Sequence, residues 1–263
     1  MTSFTRADGT NLRIVSWFSC GAASAVATKM LLADYGKRHE IVVARIIVPE
    51  EHPDGDRFAA DCEVWFGGEI VNLRSDQFAS CQEVWERRRY MSGTNGAPCT
   101  AAMKRDVRKA FTESWRPDLQ AFGYTVEEMH RADRFRKDNP EIGLICPLHR
   151  HNLTKSDCHA IIARAGIEHH AMYRLGFPNA NCIGCVKNQS PAGWNLVRQH
   201  FPDVFEERAR LSREIGCRLV KLTTGDRERI FLDELAPDYV DPEPVPDQEC
   251  SLFCHAAADE GMP

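Results

Sequence analysis

Two apolar, β-branched runs on either side of an alanine-rich segment constrain the fold of this chain more than any other feature. The runs are Leu12–Trp17 and Ile41–Val48, and neither alternates between apolar and polar residues. This pattern is typical of strands that are buried on both faces of a parallel sheet. Between them, Ala22–Tyr35 followed by Gly36 predicts a helix that ends at a glycine. The whole segment is therefore a predicted β-α-β unit.

The same alternation continues downstream, which predicts an α/β fold with an open, doubly wound, Rossmann-like parallel sheet. After Cys185 the pattern changes to two helices that are separated at Pro202, and a proline-rich tail follows. We therefore expect an α/β domain over residues 1–178. Residues 179–263 should form a C-x-x-C segment, a helical extension and an extended tail that carries cysteines. The predicted helices are 56–66, 76–89, 100–113 and 154–165, and the further strands are 69–73, 119–124 and 143–146.

Cysteine usage restricts the chemistry. The 263 residues include 11 cysteines. The sequence shows neither a secretion signal nor a run near the roughly 20 apolar residues of a membrane span. We therefore expect a cytoplasmic protein with reduced thiols and no membrane contact. The net charge of −5 provides no overall field that would attract nucleic acid.

The clearest local motif is Cys182-Ile183-Gly184-Cys185. Two intervening residues allow both sulfur atoms to face one metal ion or cluster, so the motif indicates metal or redox chemistry. Cys99 and the closing pair, Cys250 and Cys254, are further candidates. The remaining cysteines in apolar patterns are predicted to be small core residues; these are Cys62, Cys81, Cys146, Cys158 and Cys217.

The turn after the first strand, Ser19-Cys20-Gly21-Ala22-Ala23-Ser24, consists of small residues. Small side chains allow backbone N–H groups at a helix N-terminus to approach an anion closely. Ser19 and Ser24 can add hydroxyl donors, so the turn predicts a phosphate or sulfate site. The other interpretation is a tight turn whose small residues only serve packing. The turn is neither a Walker A loop nor a dinucleotide fingerprint.

These motifs, in their order, resemble the phosphoadenylyl-sulfate (PAPS) reductase family of the adenine nucleotide α-hydrolase-like (PP-loop) superfamily. The resemblance covers residues 12–190 and the tail, with Ala23 at the position where ATP-splitting members carry Asp. Phe122-Gly123-Tyr124, Arg131-Ala132-Asp133-Arg134, Thr154 with Asp157, and Tyr173–Phe177 contribute to it. It implies an enzyme that handles sulfur on an adenine nucleotide. The implied nucleotide-binding residues are Ser19, Gly21, Ala22, Ser24, Lys104, Arg131 and Arg134.

The iron–sulfur type of this family pairs a C-C-x-x-R-K segment with a C-x-x-C about eighty residues later. Here Cys182 follows Cys99 by 83 residues, and only one cysteine of the adjacent pair is present. The resemblance implies a 4Fe–4S cluster on Cys99, Cys182 and Cys185, with the fourth position open or filled by Cys250 or Cys254. The segment around Cys250 resembles the family's E-C-G-L-H element, which implies that Cys250 is the catalytic nucleophile.

Three functions stay open at this point. The first is reduction of PAPS or adenosine phosphosulfate with a thioredoxin-type reductant. The second is sulfur transfer to a nucleic acid or a small molecule after activation by an ATP-like nucleotide, as in DNA phosphorothioation or tRNA thiolation. The third is a non-catalytic nucleotide-binding module in which Cys182, Cys185, Cys250 and Cys254 hold a structural Zn²⁺. A homodimer is compatible with each of them.

Overall fold

The computed structural model of the protein describes residues 11–94, 96–225 and 228–246. Its centre is a five-stranded sheet in which all neighbouring strands are parallel, in the order β3-β2-β1-β4-β5. This arrangement confirms the predicted open α/β sheet. The strands are β1 Arg13–Trp17, β2 Glu40–Ile46, β3 Ile70–Leu73, β4 Leu119–Ala121 and β5 Gly143–Ile145.

Helices cover both faces of the central strand, as a doubly wound sheet requires. On one face, the Ser16 hydroxyl lies 2.8 Å from the hydroxyl of Thr28, in the helix that follows β1. On the other face, the Trp17 ring packs edge-on against Phe111, in the helix that precedes β4, with ring centroids 5.8 Å apart. Ile14, Val15, Ser16 and Trp17 are all buried, which explains why β1 does not alternate. The helices are α1 Ala22–Tyr35, α2 Asp54–Phe66, α3 Cys81–Arg88, α4 Pro98–Thr100, α5 Asp106–Trp115, α6 Met129–Asp138, α7 Pro147–Arg150, α8 Lys155–Arg164, α9 Ala171–Arg174, α10 Pro191–His200 and α11 Pro202–Ile215.

The chain divides into two compact units that are interleaved along the sequence. The first, here called the sheet unit, contains the described residues up to Ile47 together with Pro53–Leu73 and Lys109–His170. The second, the cysteine unit, contains Val48–His52, Arg74–Arg108 and the described residues from Ala171 onward. The sequence-based division instead places one boundary after residue 178. Within the described ranges, no helix is both long and apolar enough to cross a membrane.

The cysteine unit has its own apolar core, in which Trp85, Met103, Trp194 and Leu211 are buried. Its helices α10 and α11 begin at Pro191 and Pro202, close to the predicted positions. The Ser190 hydroxyl caps α10 by accepting the Gly193 N–H at 3.2 Å. A short antiparallel pair, β6 Val220–Lys221 and β7 Arg229–Ile230, was not predicted.

Candidate functional site

The turn between β1 and α1 is folded by its own small residues. Cys20 adopts a left-handed backbone with φ of 57°, which is uncommon for a residue other than glycine. The Ser24 hydroxyl accepts the Ser19 N–H at 3.1 Å and donates to the Gly21 carbonyl at 2.9 Å. No side chain caps the described N-terminus of α1, where Gly21 is the N-cap residue. The turn therefore places the first N–H groups of α1 beside a polar loop, which suits an anion.

Gly123, just after β4, approaches this turn through its backbone. A Cβ atom on Gly123 would lie 2.7 Å from the Ser24 Cα and 2.9 Å from the Ala23 carbonyl carbon, so a larger residue would displace the turn. β1 and β4 are neighbours in the sheet, and the strand order reverses between them. Open α/β sheets bind ligands in the crevice beyond the carboxyl ends of such strands. The predicted anion loop therefore lies at the expected ligand position.

Two arginines that the sequence analysis assigned to the nucleotide have different environments on α6. Arg131 is largely buried, forms an ion pair with Glu128, and lies 5.0 Å from the centroid of the Tyr124 ring. Arg134 is exposed. Arg131 is thus held by its neighbours, whereas Arg134 can adjust to a ligand.

Arg45, near the end of β2, is a buried cation that the sequence analysis did not single out. Its guanidinium lies 2.8 Å from an Asp56 carboxylate oxygen, and its Nε has no hydrogen-bond partner in the described part of the chain. It packs against Gly55, whose carbonyl oxygen is 3.5 Å from the Cys20 sulfur. A single cation inside an otherwise apolar strand run was the sequence signal for it.

The cysteine unit contains a small pocket that we call the thiol pocket. It brings Cys99 together with Cys182 and Cys185, as the spacing of the motifs implied, and it adds Cys81, which the sequence analysis assigned to the core. Lys104 lies at the same pocket, beside these cysteines. The full lining comprises Cys81, Trp85, Cys99, Thr100, Met103, Lys104, Cys182, Cys185 and Val186.

The C-x-x-C loop is held by backbone contacts. The Ile183 N–H donates to the Glu50 carbonyl at 2.8 Å, and the Asn188 N–H donates to the Cys185 carbonyl at 2.8 Å. Gly184 has φ of +63°, and a Cβ there would lie 2.9 Å from a Val204 methyl carbon. Glycine is therefore required between the two cysteines both for its conformation and for space.

Cys99 lies in the short helix α4, and the chain continues from there as a π-helical turn, Ala101–Arg105. Such single turns occur frequently at functional sites because they rotate the following side chains. Lys104 lies in this turn, and its Nζ is 3.0 Å from a Glu51 carboxylate oxygen. The two side chains are only 11% and 13% exposed, so this is a nearly buried ion pair at the edge of the thiol pocket.

Cys81 is the first residue of α3, which the Ser80 hydroxyl caps by accepting the Glu83 N–H at 3.0 Å. Its thiol is hydrogen-bonded with the thiols of Cys182 and Cys99. These bonds, followed by burial, raise the pKa of Cys81 above its ordinary value. By contrast, burial is the main cause that raises the pKa of Cys62 to about 12 and that of Cys158 to about 12. Cys81 is therefore part of a thiol cluster, whereas Cys62 and Cys158 are inert core thiols.

Two further polar groups in residues of the thiol pocket have no partner among the described residues. They are the Trp85 indole nitrogen and the Thr100 hydroxyl, which are buried in residues that are 2% and 3% exposed. Both groups can donate a hydrogen bond, and buried donors without acceptors are uncommon in folded proteins. They suit a ligand that presents acceptor atoms, such as the sulfur atoms of an iron–sulfur cluster.

The donor set of the thiol pocket fits an iron–sulfur cluster, because four thiols, two donors and a lysine line it. Among the described residues, however, no group of three or more His, Cys, Asp or Glu side chains is already arranged around a point that could hold a single metal ion. The Cys81 thiol is instead hydrogen-bonded with the thiols of Cys182 and Cys99. Deprotonation by a metal would break these thiol–thiol bonds, since metal ligands are thiolates.

The tail cysteines Cys250 and Cys254, predicted as nucleophile and ligand, lie outside the described residues. The last described residues, Val245 and Pro246, line a second pocket together with Cys182 and Cys185. Pro246, the last described residue, therefore lies close to the C-x-x-C loop.

The chain is similar to known proteins in its structure. No protein-family model and no curated protein sequence matches the chain. Phosphoadenylyl-sulfate (PAPS) reductase from Candida auris, solved as a phosphate complex, is 12% identical with a TM-score of 0.50, over 67% of this chain and 84% of that chain. The U34-tRNA thiolase NcsA from Methanococcus maripaludis, solved with its 4Fe–4S cluster, is 13% identical with a TM-score of 0.44, over 92% of this chain and 86% of that chain. The chain thus has the α/β fold of PAPS reductase, as its sequence motifs predict.

Proposed function

We propose that this protein is an enzyme that handles sulfur on an adenine nucleotide and that it carries a 4Fe–4S cluster. One observation carries the proposal. Cys99 and the pair Cys182 and Cys185, 83 residues further along the chain, line the same pocket. The fold supports it, because its sheet places a small-residue loop where α/β proteins bind nucleotides.

In the sheet unit, the loop would hold the phosphate groups of PAPS, adenosine phosphosulfate or an ATP-like nucleotide. Backbone N–H groups at Gly21 and Ala22 would supply donors there, and Ser24, which accepts from the Ser19 N–H and the Ser19 hydroxyl, fixes the turn. Arg134 and the largely buried Arg131, which is paired with Glu128, would supply positive charge on α6. Because Ala23 provides no carboxylate, the loop suits binding of a nucleotide rather than cleavage of its α–β phosphate bond.

In the cysteine unit, Cys99, Cys182 and Cys185 would be thiolate ligands. A bound cluster would supply electron delocalisation and negative charge in the thiol pocket. Lys104 would lie beside that charge, because its ammonium is at the pocket, where Glu51 holds it. Trp85 and Thr100 would donate hydrogen bonds to acceptor atoms in the pocket.

In the reduction that we propose, the Cys250 thiolate attacks the sulfonate sulfur of PAPS. A sulfur–sulfur bond forms, the bond from sulfur to the phosphate oxygen breaks, and the nucleotide leaves with that electron pair. A thiol of a thioredoxin-type reductant then attacks the Cys250 sulfur and releases sulfite. The second thiol of the reductant resolves the mixed disulfide, so the reductant ends as a disulfide and Cys250 is restored.

The sulfur-transfer and zinc-module alternatives make different demands on the same residues. Sulfur transfer to a nucleic acid or a small molecule needs activation by ATP, which Ala23 disfavours. A structural Zn²⁺ on Cys182, Cys185, Cys250 and Cys254 gives Cys81 and Cys99 no role, although both line the pocket with the C-x-x-C loop. Reduction therefore accounts for more of the described site.

The proposal is tested on anaerobically purified full-length protein. We expect about four irons per chain and sulfite release from PAPS with a reduced thioredoxin. Cys250→Ser should abolish sulfite release and keep PAPS binding in calorimetry, while Cys158→Ser, a core thiol in the sheet unit, should leave both unchanged. A colourless protein with one zinc per chain and no sulfite release would refute the proposal.

A further inference from the structure

Cys81 lies at the thiol pocket with the three cysteines of the proposed cluster. We propose that Cys81 is the fourth thiolate ligand of that cluster, so that the described part of the cysteine unit supplies all four ligands. This inference rests on the proposed function, and it assigns the position that the sequence resemblance left open or gave to Cys250 or Cys254.

The contacts of Cys81 distinguish it from a core cysteine. Its thiol is hydrogen-bonded with the thiols of Cys182 and Cys99, which come from two distant segments of the chain. Cys62 and Cys158 are also buried, but neither is among the residues that line the thiol pocket. A thiol that packs as an apolar residue needs no sulfur neighbours. Cys81, with Cys99, Cys182 and Cys185 lining the same pocket, instead belongs to a set of four thiols, which is the donor set that 4Fe–4S clusters use.

The backbone around Cys81 supports a fixed ligand position. Glu50 contacts both segments that carry the ligands: its carbonyl accepts the Ile183 N–H at 2.8 Å, and its carboxylate accepts the Gln82 N–H at 3.1 Å. One residue thus joins the C-x-x-C loop to the first turn of α3. Cys81 begins that turn, and Trp85 follows it one turn later on the same buried face. The α3 segment therefore contributes a thiol and an unpartnered indole N–H to one pocket.

Full ligation by the cysteine unit has two consequences for the proposed chemistry. Each iron would have a protein thiolate, so no iron would be open to a substrate sulfur atom, and this favours reduction over sulfur transfer. Cys250 and Cys254 would not be needed as ligands, which leaves Cys250 available as the nucleophile. Four thiolates would also carry more negative charge than three, next to the Lys104 ammonium.

The test compares three full-length variants purified anaerobically with ⁵⁷Fe: Cys81→Ser, the double variant Cys250→Ser/Cys254→Ser, and the control Cys158→Ser. Iron per chain and the Mössbauer spectrum are measured, and circular dichroism checks the fold. We expect the tail double variant and the control to keep the wild-type iron content and a spectrum of four sulfur-ligated irons. Cys81→Ser should lose at least half of the iron or show one iron with a changed ligand.

The outcomes separate this inference from the proposed function. If Cys81→Ser keeps the wild-type spectrum while the tail double variant loses iron or a thiolate ligand, Cys81 is not the fourth ligand and the cluster stands. If Cys81→Ser does not fold, the spectrum of the tail double variant decides, because it retains Cys81 but neither tail cysteine. One iron without a thiolate there overturns the inference. Wild-type protein without iron overturns the proposed function and this inference with it.

Discussion

The loop after β1 and the thiol pocket are built from different parts of the chain and by different means. The loop is a contiguous run, Ser19–Ser24, whose N–H groups and hydroxyls are the proposed binding groups, and it depends on close backbone approach at Gly123. The thiol pocket is assembled from side chains on three segments that begin near Cys81, Cys99 and Cys182. At the first site, space near the backbone admits only small residues. At the second site, the fold must bring distant side chains together.

This difference determines which substitutions each site tolerates. A backbone-built site fails when a residue gains volume, because the atoms in its way belong to the main chain. A site that is built from side chains fails when one side chain is removed, because the buried groups that remain lose a hydrogen-bond or ion-pair partner. The predictions below use this contrast and run from the largest expected effect to the smallest.

The largest effect should come from Lys104→Met in the thiol pocket. The Lys104–Glu51 pair is nearly buried, so removal of the lysine leaves a carboxylate without its compensating charge. Loss of one partner of a buried pair costs about 3 kcal/mol or more. We expect the free energy of unfolding in urea to fall by about this amount, and Lys104→Met/Glu51→Gln to recover most of the loss.

An exposed ion pair in the same unit provides the control for this prediction. Arg210 and Glu214 are also 3.0 Å apart, but their side chains are 61% and 48% exposed. Arg210→Met should leave the urea midpoint almost unchanged, because water screens such pairs. Equal losses for Lys104→Met and Arg210→Met would show that burial of the pair has no energetic role.

Gly123→Ala tests the loop by adding a methyl group, whereas Lys104→Met tests the thiol pocket by removing a charged partner. The new methyl group would lie 2.7–2.9 Å from backbone atoms of Ser24 and Ala23, which cannot rotate away. Overpacking of this kind costs about 1–3 kcal/mol. We expect that loss in the free energy of unfolding and at least a tenfold weaker affinity for PAPS in calorimetry, because the turn must shift.

Gly68→Ala is the matched control, since a Cβ at Gly68 would meet nothing within 4 Å in the same unit. It should bind PAPS as the wild type does. Unchanged PAPS affinity in Gly123→Ala as well would show that the turn does not contact the nucleotide.

The same contrast explains what the sequence could predict. β1, α1 and the turn between them follow from local patterns, and α1 begins and ends at the predicted residues, Ala22 and Tyr35. The start of α3 was predicted five residues too early, because the Ser80 cap outweighs the helical pattern before it. Local signals are therefore sufficient for the sheet and for the anion loop.

Cys81 could not be recognised from sequence. It precedes Val84 and Trp85 on a buried helix face, in the spacing that also suits core cysteines such as Cys158. Only the folded chain shows that the thiol of Cys182, about a hundred residues later, is hydrogen-bonded with the Cys81 thiol. The π-helical turn that carries Lys104 also lacks a local signal, because its residues read as ordinary helix formers. Local sequence patterns therefore do not predict the part of the site that depends on non-local side-chain contacts.

The smallest expected effect, and the most specific to the thiol pocket, is that of Trp85→Phe. This change keeps an aromatic ring against the core and removes the indole N–H that has no partner among the described residues. If that N–H donates to a cluster sulfur, its loss destabilises the more negative, reduced state and moves the reduction potential to a more negative value. Iron content should stay at the wild-type level, because no ligand changes.

Trp65→Phe, in the sheet unit, is the control. Its reduction potential, measured anaerobically by spectroscopic redox titration, should equal that of the wild type. A Trp85→Phe potential equal to that of the wild type would mean that the indole serves packing alone, and the thiol pocket would then depend on its thiols and on Lys104 without a hydrogen bond from α3.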